Sequence, residues 1–139
     1  MPRTSLESSY VSLILVSHSY KVAYGIAELV EQVAGMYVPV FPVGGTRDGG
    51  LGTDSPRLLE ILQRIAREPG GVVIADIGSS VLAVRAAVAE LALTQRGSVI
   101  FADAPFVEGA IAAAVAASTG ASLGEVVRAA EQTRHVTKL

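Results

Sequence analysis

The sequence contains no cysteine, so it cannot form disulfide bonds, a thiolate nucleophile or a cysteine-ligated zinc site. It has no cluster of lysine and arginine, and its formal net charge is -2, which makes nucleic acid and anionic membranes poor candidate partners. Its apolar runs VSLILV and AIAAAVAA fall far short of the ~18–20 residues that span a bilayer. These absences favour a cytoplasmic protein without a membrane segment.

The remaining composition indicates a single folded domain. Half of the 139 residues are hydrophobic (50%) and only 17% are charged, a balance that disordered chains do not have. Residues 1–9, MPRTSLESS, are polar and carry no helical or strand pattern. The sequence therefore predicts a polar leader over 1–9 and one domain over 10–139.

Apolar runs that are typical of buried strands alternate with segments of helical periodicity. The strands are predicted at 10–16, 37–43, 71–76 and 98–103. The helices are predicted from Val22 to a stop at Gly35, from Pro56 to Ile65, from Val81 to Leu93, from Pro105 to about Ser118, and from the capping box of Ser122 and Glu125 to about Gln132. This order predicts an α/β fold with a mostly parallel sheet of about four strands, covered by helices on both faces.

Polar residues follow each predicted strand. The first strand ends in Ser17-His18-Ser19, the second runs into the glycine loop GGTRDGGLGTD (44–54), the third ends in Asp76-Ile77-Gly78-Ser79-Ser80, and the fourth ends in Asp103. The carboxyl ends of parallel strands meet at one edge of a sheet, where ligands bind in open α/β folds. One imidazole, one or two carboxylates, several hydroxyls and many amides are therefore expected at one edge.

These groups suit the handling of a phosphoryl group. A neutral imidazole is a good nucleophile near pH 7, which makes His18 the candidate acceptor. A carboxylate on the other ring nitrogen would fix the tautomer, and we assign that position to Asp76 because it ends the strand whose turn holds Ser79 and Ser80. The phosphoryl oxygens need donors, which Ser19, the glycine-loop amides and Thr46 can supply without a fixed positive charge.

The residues alone leave other interpretations open. His18 could be an ordinary polar residue at a strand end, and Asp76 and Asp103 could cap the helices that follow them. The glycine loop lacks the Gly-Lys-Ser/Thr of a P-loop and the spacing of a dinucleotide fingerprint. A second histidine for a metal exists only at His135, and no Gly-x-Ser-x-Gly elbow is present for a serine hydrolase. We therefore expect no metal and no cofactor.

The segments LVSHS, GGTRDGGLGTD and ADIGSS, taken together with DAPFVEGAIAAAVAAS, resemble a known family. They are similar to the DhaM-type phosphotransferase subunits of bacterial PEP-dependent dihydroxyacetone kinases, which are built on the IIA domain of the mannose-type phosphotransferase system. The resemblance covers about residues 11–132. It implies an α/β IIA-like fold and a phosphohistidine intermediate.

The resemblance also implies roles for particular residues. The phosphorylated histidine falls on His18 and the strand-end aspartate on Asp76. The phosphate-binding positions that we assign in these segments are Ser19, Gly45, Thr46, Gly52, Thr53, Gly78 and Ser79.

The partners are likewise implied by the resemblance. Members accept phosphate from the phosphocarrier protein HPr, pass it to ADP on the nucleotide-binding kinase subunit, and are usually homodimers. Two alternatives remain at this point: a mannose-type IIA domain that serves sugar uptake, and a regulatory or binding module that uses the same fold without catalysis.

Overall fold

A four-stranded sheet with all strands parallel forms the centre of the molecule. The structure is a computed structural model, and it describes residues 9–139. The strand order is β2-β1-β3-β4, so the first strand lies between the second and the third. The strands are β1 (Ser12–Ser17), β2 (Val40–Gly44), β3 (Gly71–Ala75) and β4 (Val99–Phe101). The predicted α/β class and the parallel sheet of four strands are confirmed.

Helices connect the strands and then extend the chain beyond the last of them. They are α1 (Tyr20–Ala34), α2 (Ser55–Ile65), α3 (Gly78–Glu90), the short α4 (Leu93–Arg96), α5 (Phe106–Ser118) and α6 (Leu123–Gln132), with a 3-10 turn at Thr133–His135. The 1–9 leader was expected to be separate from this domain. Its residues 1–8 lie outside the described residues, and the boundary stays a prediction.

The alternation of side chains along the buried strands produces two cores, one on each face of the sheet. Leu13 and Leu15 of β1 pack with α1, α5 and α6. Ile14 and Val16 point the other way and pack with α2 and α3. A continuously apolar strand is what a sheet covered on both faces requires. The sequence pattern therefore placed β1 correctly as a fully buried strand.

Several predicted boundaries shift for local reasons. α3 begins at Gly78 instead of Val81, because the Ser80 hydroxyl folds back to accept from the Ile77 amide at 3.4 Å and opens the helix earlier. The predicted stop at Gly35 is confirmed, since this glycine ends α1 with a φ of 77°. The Ser122–Glu125 capping box is also confirmed at the start of α6.

The sheet edges agree with the proline pattern. β2 is an edge strand, and Pro42 lies inside it, where a missing N–H costs no ladder bond on the outer side.

Among residues 9–139, no helix is long and apolar enough to cross a membrane.

A close approach between β2 and α1 fixes where α1 begins. A Cβ atom on Gly44 would lie 2.5 Å from the Ser19 carbonyl oxygen and 2.7 Å from the Ala23 Cβ. Only glycine therefore lets the end of β2 pass beneath the first turn of α1. This packing holds the residues that follow β1 against the end of β2.

Gly44→Ala is expected to destabilise the fold by about 1–3 kcal/mol, because the new methyl group must displace the backbone of α1. Gly25→Ala is the matched control: Gly25 is exposed inside α1 with nothing within 4 Å of its Cβ position. This substitution should stabilise the protein by up to about 1 kcal/mol through helix propensity. Urea unfolding of both variants measures the two shifts, and equal effects would contradict the proposed close packing at Gly44.

Candidate active site

The predicted site residues gather where the chain reverses its direction across the sheet. From β1 the chain crosses to β2 on one side, and β3 lies on the other side of β1. The crevice between the ends of β1 and β3 is therefore the switch point of the sheet, the usual ligand position in open α/β folds. His18 follows β1 directly and Asp76 follows β3 directly, so the two lie on either side of this crevice.

The His18 side chain is half-buried and held through one ring nitrogen. Its Nδ1 lies 3.0 Å from the hydroxyl oxygen of Ser79, an exposed residue in the first turn of α3. Within residues 9–139, the other nitrogen, Nε2, has no hydrogen-bond partner. The imidazole thus has one anchored nitrogen and one open nitrogen.

The Asp76 carboxylate is the centre of a hydrogen-bond network. Its Oδ2 accepts from the Ser17 hydroxyl at 2.5 Å, and its Oδ1 accepts from the Ser80 hydroxyl and from the Ile77 amide, the latter at 2.7 Å. The backbone amide of His18 faces the same carboxylate and helps to lower its pKa. Asp76 therefore joins the end of β1 to the turn that carries Ser79.

This network decides the charge of Asp76. Partial burial alone would raise the pKa of the carboxyl above its ordinary value of 3.8. The hydrogen bonds from Ser17 and Ser80, together with the backbone amides of Ile77 and His18, outweigh that effect and hold the pKa of Asp76 below 3.8. Asp76 is therefore ionised at neutral pH.

The structure corrects one detail of the predicted site. Asp76 was expected to hydrogen-bond the second ring nitrogen of His18, but the described residues show Ser79 in that position. The carboxylate is instead directed at the His18 backbone and at two serine hydroxyls. The reason is positional: Asp76 directly continues β3 beside β1, so its short side chain meets the β1 backbone, whereas Ser79 is carried by α3 to the imidazole.

The glycine loop is held in shape by Thr46. Its hydroxyl donates to the Asp48 carboxylate and accepts from the Gly50 amide at 2.9 Å, and its own amide donates to the Gly50 carbonyl at 2.9 Å. The Thr46 hydroxyl bond, followed by the Gly50 amide, lowers the pKa of Asp48. Because its hydroxyl proton is already donated, Thr46 organises the loop, and the geometry does not favour the phosphate contact expected of it.

The second half of the loop contacts the imidazole residue. The Gly52 amide donates to the His18 carbonyl at 2.7 Å, which commits that amide to the backbone instead of to a phosphate. The next residue, Thr53, pairs with Gly45 in an isolated parallel bridge. Its hydroxyl oxygen is buried and has no hydrogen-bond partner among the described residues. Thr53 therefore keeps a free donor next to the residue that anchors His18.

The other expected residues divide between the site and its surroundings. Ser19 caps α1, where its hydroxyl accepts from the Val22 amide at 3.4 Å. Gly78 is the first residue of α3, and a Cβ atom there would have no neighbour within 4 Å. Asp103 does not cap α5. Its carboxylate pairs with Arg134 at 2.7 Å, near His135, which is exposed as expected.

Sequence reasoning placed two further serines at the strand ends but gave them no role in the network. Ser17 and Ser80 are fully buried, and both donate to Asp76. Ser17 also accepts from the Ser19 amide at 3.0 Å, so it fixes the backbone on both sides of His18. Ser17 is the polar last residue of an otherwise apolar strand. That position, and the four-residue spacing from Asp76 to Ser80, were the available signals.

Comparison with known proteins shows that this chain matches a family of phosphotransferase-system components. The family model described as PTS system fructose IIA component (EIIA-man) matches residues 12–127. The match runs from the first residue of β1 into α6 and so includes every residue of the network described above.

Two curated relatives carry related names. The phosphoryl donor subunit DhaM of PEP-dependent dihydroxyacetone kinase 2 from Listeria innocua is 34% identical over 105 residues, which cover 76% of this chain and 84% of that protein. The DhaM subunit from Escherichia coli K12 is 31% identical over 128 residues, which cover 84% of this chain and 25% of that protein. The chain thus spans only about a quarter of the Escherichia coli relative.

A solved structure supports the fold. The crystal structure of a protein described as being of unknown function superposes with a TM-score of 0.79 at 32% identity, covering 88% of this chain and 93% of that chain. The mannose-type IIA-like fold expected from the sequence is confirmed.

Asp76→Asn is expected to lower the free energy of unfolding by about 1–3 kcal/mol at pH 7, because buried donors lose an ionised acceptor. Since the pKa of Asp76 is lower in the folded state than the ordinary 3.8, its stabilisation is full above that value and is lost as the pH falls through the folded pKa. The difference in the free energy of unfolding between the wild type and Asp76→Asn should therefore be smaller at pH 3 than at pH 7. Urea unfolding at the two pH values measures it.

Asp103→Asn is the matched control at the same edge of the sheet, because that carboxylate is exposed and its ion pair with Arg134 contributes little. It should change stability only slightly at either pH. A gap between wild type and Asp76→Asn that stays constant from pH 7 to pH 3 would show that the charge of Asp76 is not what stabilises the network.

Proposed function

The chain belongs to the EIIA-man family of PTS IIA components and is of the DhaM type, and we propose that its phosphoryl group is carried on Nε2 of His18. The observation that carries this proposal is the imidazole itself. His18 lies at the switch point of the sheet, with Nδ1 held by Ser79 and Nε2 open. An anchored ring with one open nitrogen is what a nucleophile at a shared surface requires.

The chemistry proceeds without a net proton transfer. With the proton on Nδ1, Ser79 accepts a hydrogen bond from the ring and Nε2 presents its lone pair. Attack by Nε2 forms the N–P bond while the bond from phosphorus to the donor breaks, and the Nδ1 proton stays in place. When an acceptor oxygen attacks the phosphorus, the N–P bond breaks and the same neutral tautomer is restored.

A hydroxyl on Nδ1 has a different consequence from a carboxylate. A carboxylate only accepts, so it holds the proton on Nδ1 and also stabilises the positively charged ring that forms when Nε2 is phosphorylated. The Ser79 hydroxyl can accept from Nδ1–H or donate to a bare Nδ1, and the proposed mechanism uses the first arrangement. The neutral Ser79 hydroxyl gives less of this stabilisation, so the imidazole remains a good leaving group. The charge of Asp76 acts instead on the backbone of His18 and on the turn of Ser79. This division suits a carrier that must release its phosphoryl group.

The phosphoryl oxygens need donors that are not already used. Thr53 is the first candidate, because its hydroxyl has no partner within residues 9–139 and its neighbour Gly52 binds the His18 carbonyl. Because the hydroxyl oxygen is buried, a phosphate reaches it only if the glycine loop moves. Ser19 is the second, because its hydroxyl accepts from Val22 and keeps its own proton to donate. The amides in the first turn of α1 add the favourable end of a helix dipole.

The surface around His18 fits partners that bind briefly. Three large apolar side chains come from three different elements around the site: Tyr20 from α1 (54% exposed), Leu51 from the glycine loop (72%) and Ile77 from the turn after β3 (55%). Aromatic and aliphatic groups of this kind anchor protein interfaces. We call these three residues the apolar rim.

We assign the apolar rim to two partners in turn. HPr would donate the phosphoryl group, and ADP on the nucleotide-binding subunit of a dihydroxyacetone kinase would accept it. The relatives' names, phosphoryl donor subunits of PEP-dependent dihydroxyacetone kinases, support the kinase as the destination. Transfer requires near contact and in-line geometry at one nitrogen, so the two partners must alternate. The homodimer that the family resemblance implies stays a prediction.

His18→Ala is expected to abolish phosphorylation by PEP, enzyme I and HPr, because the nucleophile is removed, while folding is kept. Intact mass spectrometry detects the added phosphoryl group, and addition of the ADP-loaded kinase subunit should remove it from the wild-type protein. His135→Ala is the control, since His135 is the only other histidine and is exposed. Acid-labile phosphate on His18→Ala would move the site, and a stable phosphoprotein that ADP cannot discharge would point to another acceptor.

Ser79→Ala should slow phosphorylation about tenfold, the effect of one hydrogen bond of roughly 1.4 kcal/mol on the barrier. Folding should be intact because Ser79 is exposed. The ¹⁵N shifts of the His18 ring provide a readout that a purely structural role would not change: the wild type should show the Nδ1–H tautomer and the variant a mixture. Ser79→Thr, which keeps the hydroxyl, should restore the wild-type spectrum. An unchanged tautomer in Ser79→Ala would remove this role.

A further inference from the structure

Three guanidinium groups line one groove beside the edge strand β2. The groove lies between β2 and α2 and has a volume of about 410 Å³. We call it the arginine groove, and its side chains include Phe41, Arg47, Asp54, Arg57, Glu60 and Arg64.

The positive charges of the arginine groove are only partly used within the molecule. Arg57 donates through Nη1 to the Pro42 carbonyl at 2.8 Å and so has a structural role. Arg47 and Arg64 have no hydrogen bond or ion pair with any residue in the described range 9–139. The Asp54 carboxylate is engaged as the cap of α2, where it accepts from the Arg57 amide at 3.1 Å. Asp54 and Glu60 keep their negative charges in the same lining, so the three guanidiniums leave the groove with a net charge of +1 on a chain of net charge -2.

The position of the groove links it to the site. Arg47 belongs to the glycine loop, which contacts His18 through the Gly52 amide. Arg57 and Arg64 are seven residues apart on one face of α2, which corresponds to about 10 Å along the helix axis. The groove thus begins beside the site and extends down the β2 flank. It is longer than one phosphate group, and its volume of about 410 Å³ can be filled by side chains of a partner surface or by a small ligand.

The reaction has one step in which negative charges crowd together. When the phosphoryl group leaves His18 for a nucleoside diphosphate, three phosphates must approach one another, and the ionised Asp76 lies nearby. The hydrogen-bond partners of the His18 and Asp76 side chains are hydroxyls and backbone amides, none of which carries a positive charge. In the uptake step no nucleotide phosphates take part and only the transferred phosphoryl group enters the site, so repulsion is weaker. Long-range attraction is therefore needed mainly for the acceptor.

We propose that the arginine groove docks an acidic face of the nucleotide-bearing protein that takes the phosphoryl group from His18. This inference rests on the proposed function, since it names the partner of the same site. Complementary charge beside a reaction surface raises the rate of encounter and favours one partner over another. The apolar rim is shared by both partners, whereas the arginine groove distinguishes the acceptor from the donor.

The test compares two charge reversals of equal size. Arg64→Glu changes the groove, and Arg128→Glu makes the same change on α6, in the helix layer on the opposite face of the sheet. The two half-reactions are timed separately: uptake from HPr, and discharge to the kinase subunit loaded with ADP. At low ionic strength Arg64→Glu should slow discharge about tenfold, and Arg47→Glu combined with Arg64→Glu should slow it further.

Uptake should stay within twofold of wild type in both variants, and Arg128→Glu should leave both steps unchanged. In about 1 M salt, where the screening length is about 3 Å, the groove variants should approach the wild-type discharge rate. Slowing of uptake to the same degree, or no slowing of discharge, would overturn the assignment of the groove to the acceptor.

Calorimetric titration of the unphosphorylated chain with the ADP-loaded kinase subunit tests docking without the chemistry. Binding that weakens in Arg64→Glu and not in Arg128→Glu supports the groove even if phosphoryl transfer by His18 were to fail. The absence of binding by the wild type overturns the proposal. A chemical-shift titration with ADP alone completes the test: shifts in the arginine groove would make it a nucleotide site on this chain and contradict a protein docking surface.

Discussion

One ionised carboxylate holds the site together. Asp76 receives hydrogen bonds from the Ser17 and Ser80 hydroxyls and from the Ile77 amide, and the His18 amide faces it. These donors belong to the ends of β1 and β3, the two central strands between which the chain changes direction. Burial alone would favour the neutral acid, and it is the number of donors that keeps the charge. That charge adds to the other bonds that hold the His18 backbone and the turn of Ser79, among them the Gly52 amide on the His18 carbonyl.

The hydroxyl groups of the site have different roles, which follow from how deeply each one is buried. Ser17 and Ser80 are fully buried and are committed to Asp76, and Thr46 is committed to the glycine loop. Ser79 is exposed and contacts the imidazole, and Thr53 keeps a hydroxyl without a partner among the described residues. The hydroxyls that set the geometry are thus different from the exposed hydroxyl that contacts the imidazole. A site built in this way can change partners without rearranging its supporting bonds.

The positive charges of the surface lie away from the imidazole, whose own contacts are uncharged. The contacts of the imidazole are neutral, which keeps the ring a good leaving group but leaves the approach of a second anion unassisted. The guanidiniums of Arg47 and Arg64 line the arginine groove and not the reacting atom. Attraction at a distance and uncharged contacts of the imidazole can therefore coexist in one small domain.

The sequence by itself determined the fold class, the parallel sheet and the meeting of His18 and Asp76 at one edge. These follow from local properties: continuous apolar strands, helical periodicity, and polar residues at each strand end. The sequence did not determine which side chain contacts the imidazole, that Ser17 and Ser80 complete the network, or that Thr46 is used inside its loop. The three-residue shift in the start of α3 is enough to show why, since it decides where Ser79 and Ser80 point. Hydrogen-bond partners depend on ångström-level positions of residues some sixty places apart, such as His18 and Ser79, and only the packed tertiary structure sets those positions.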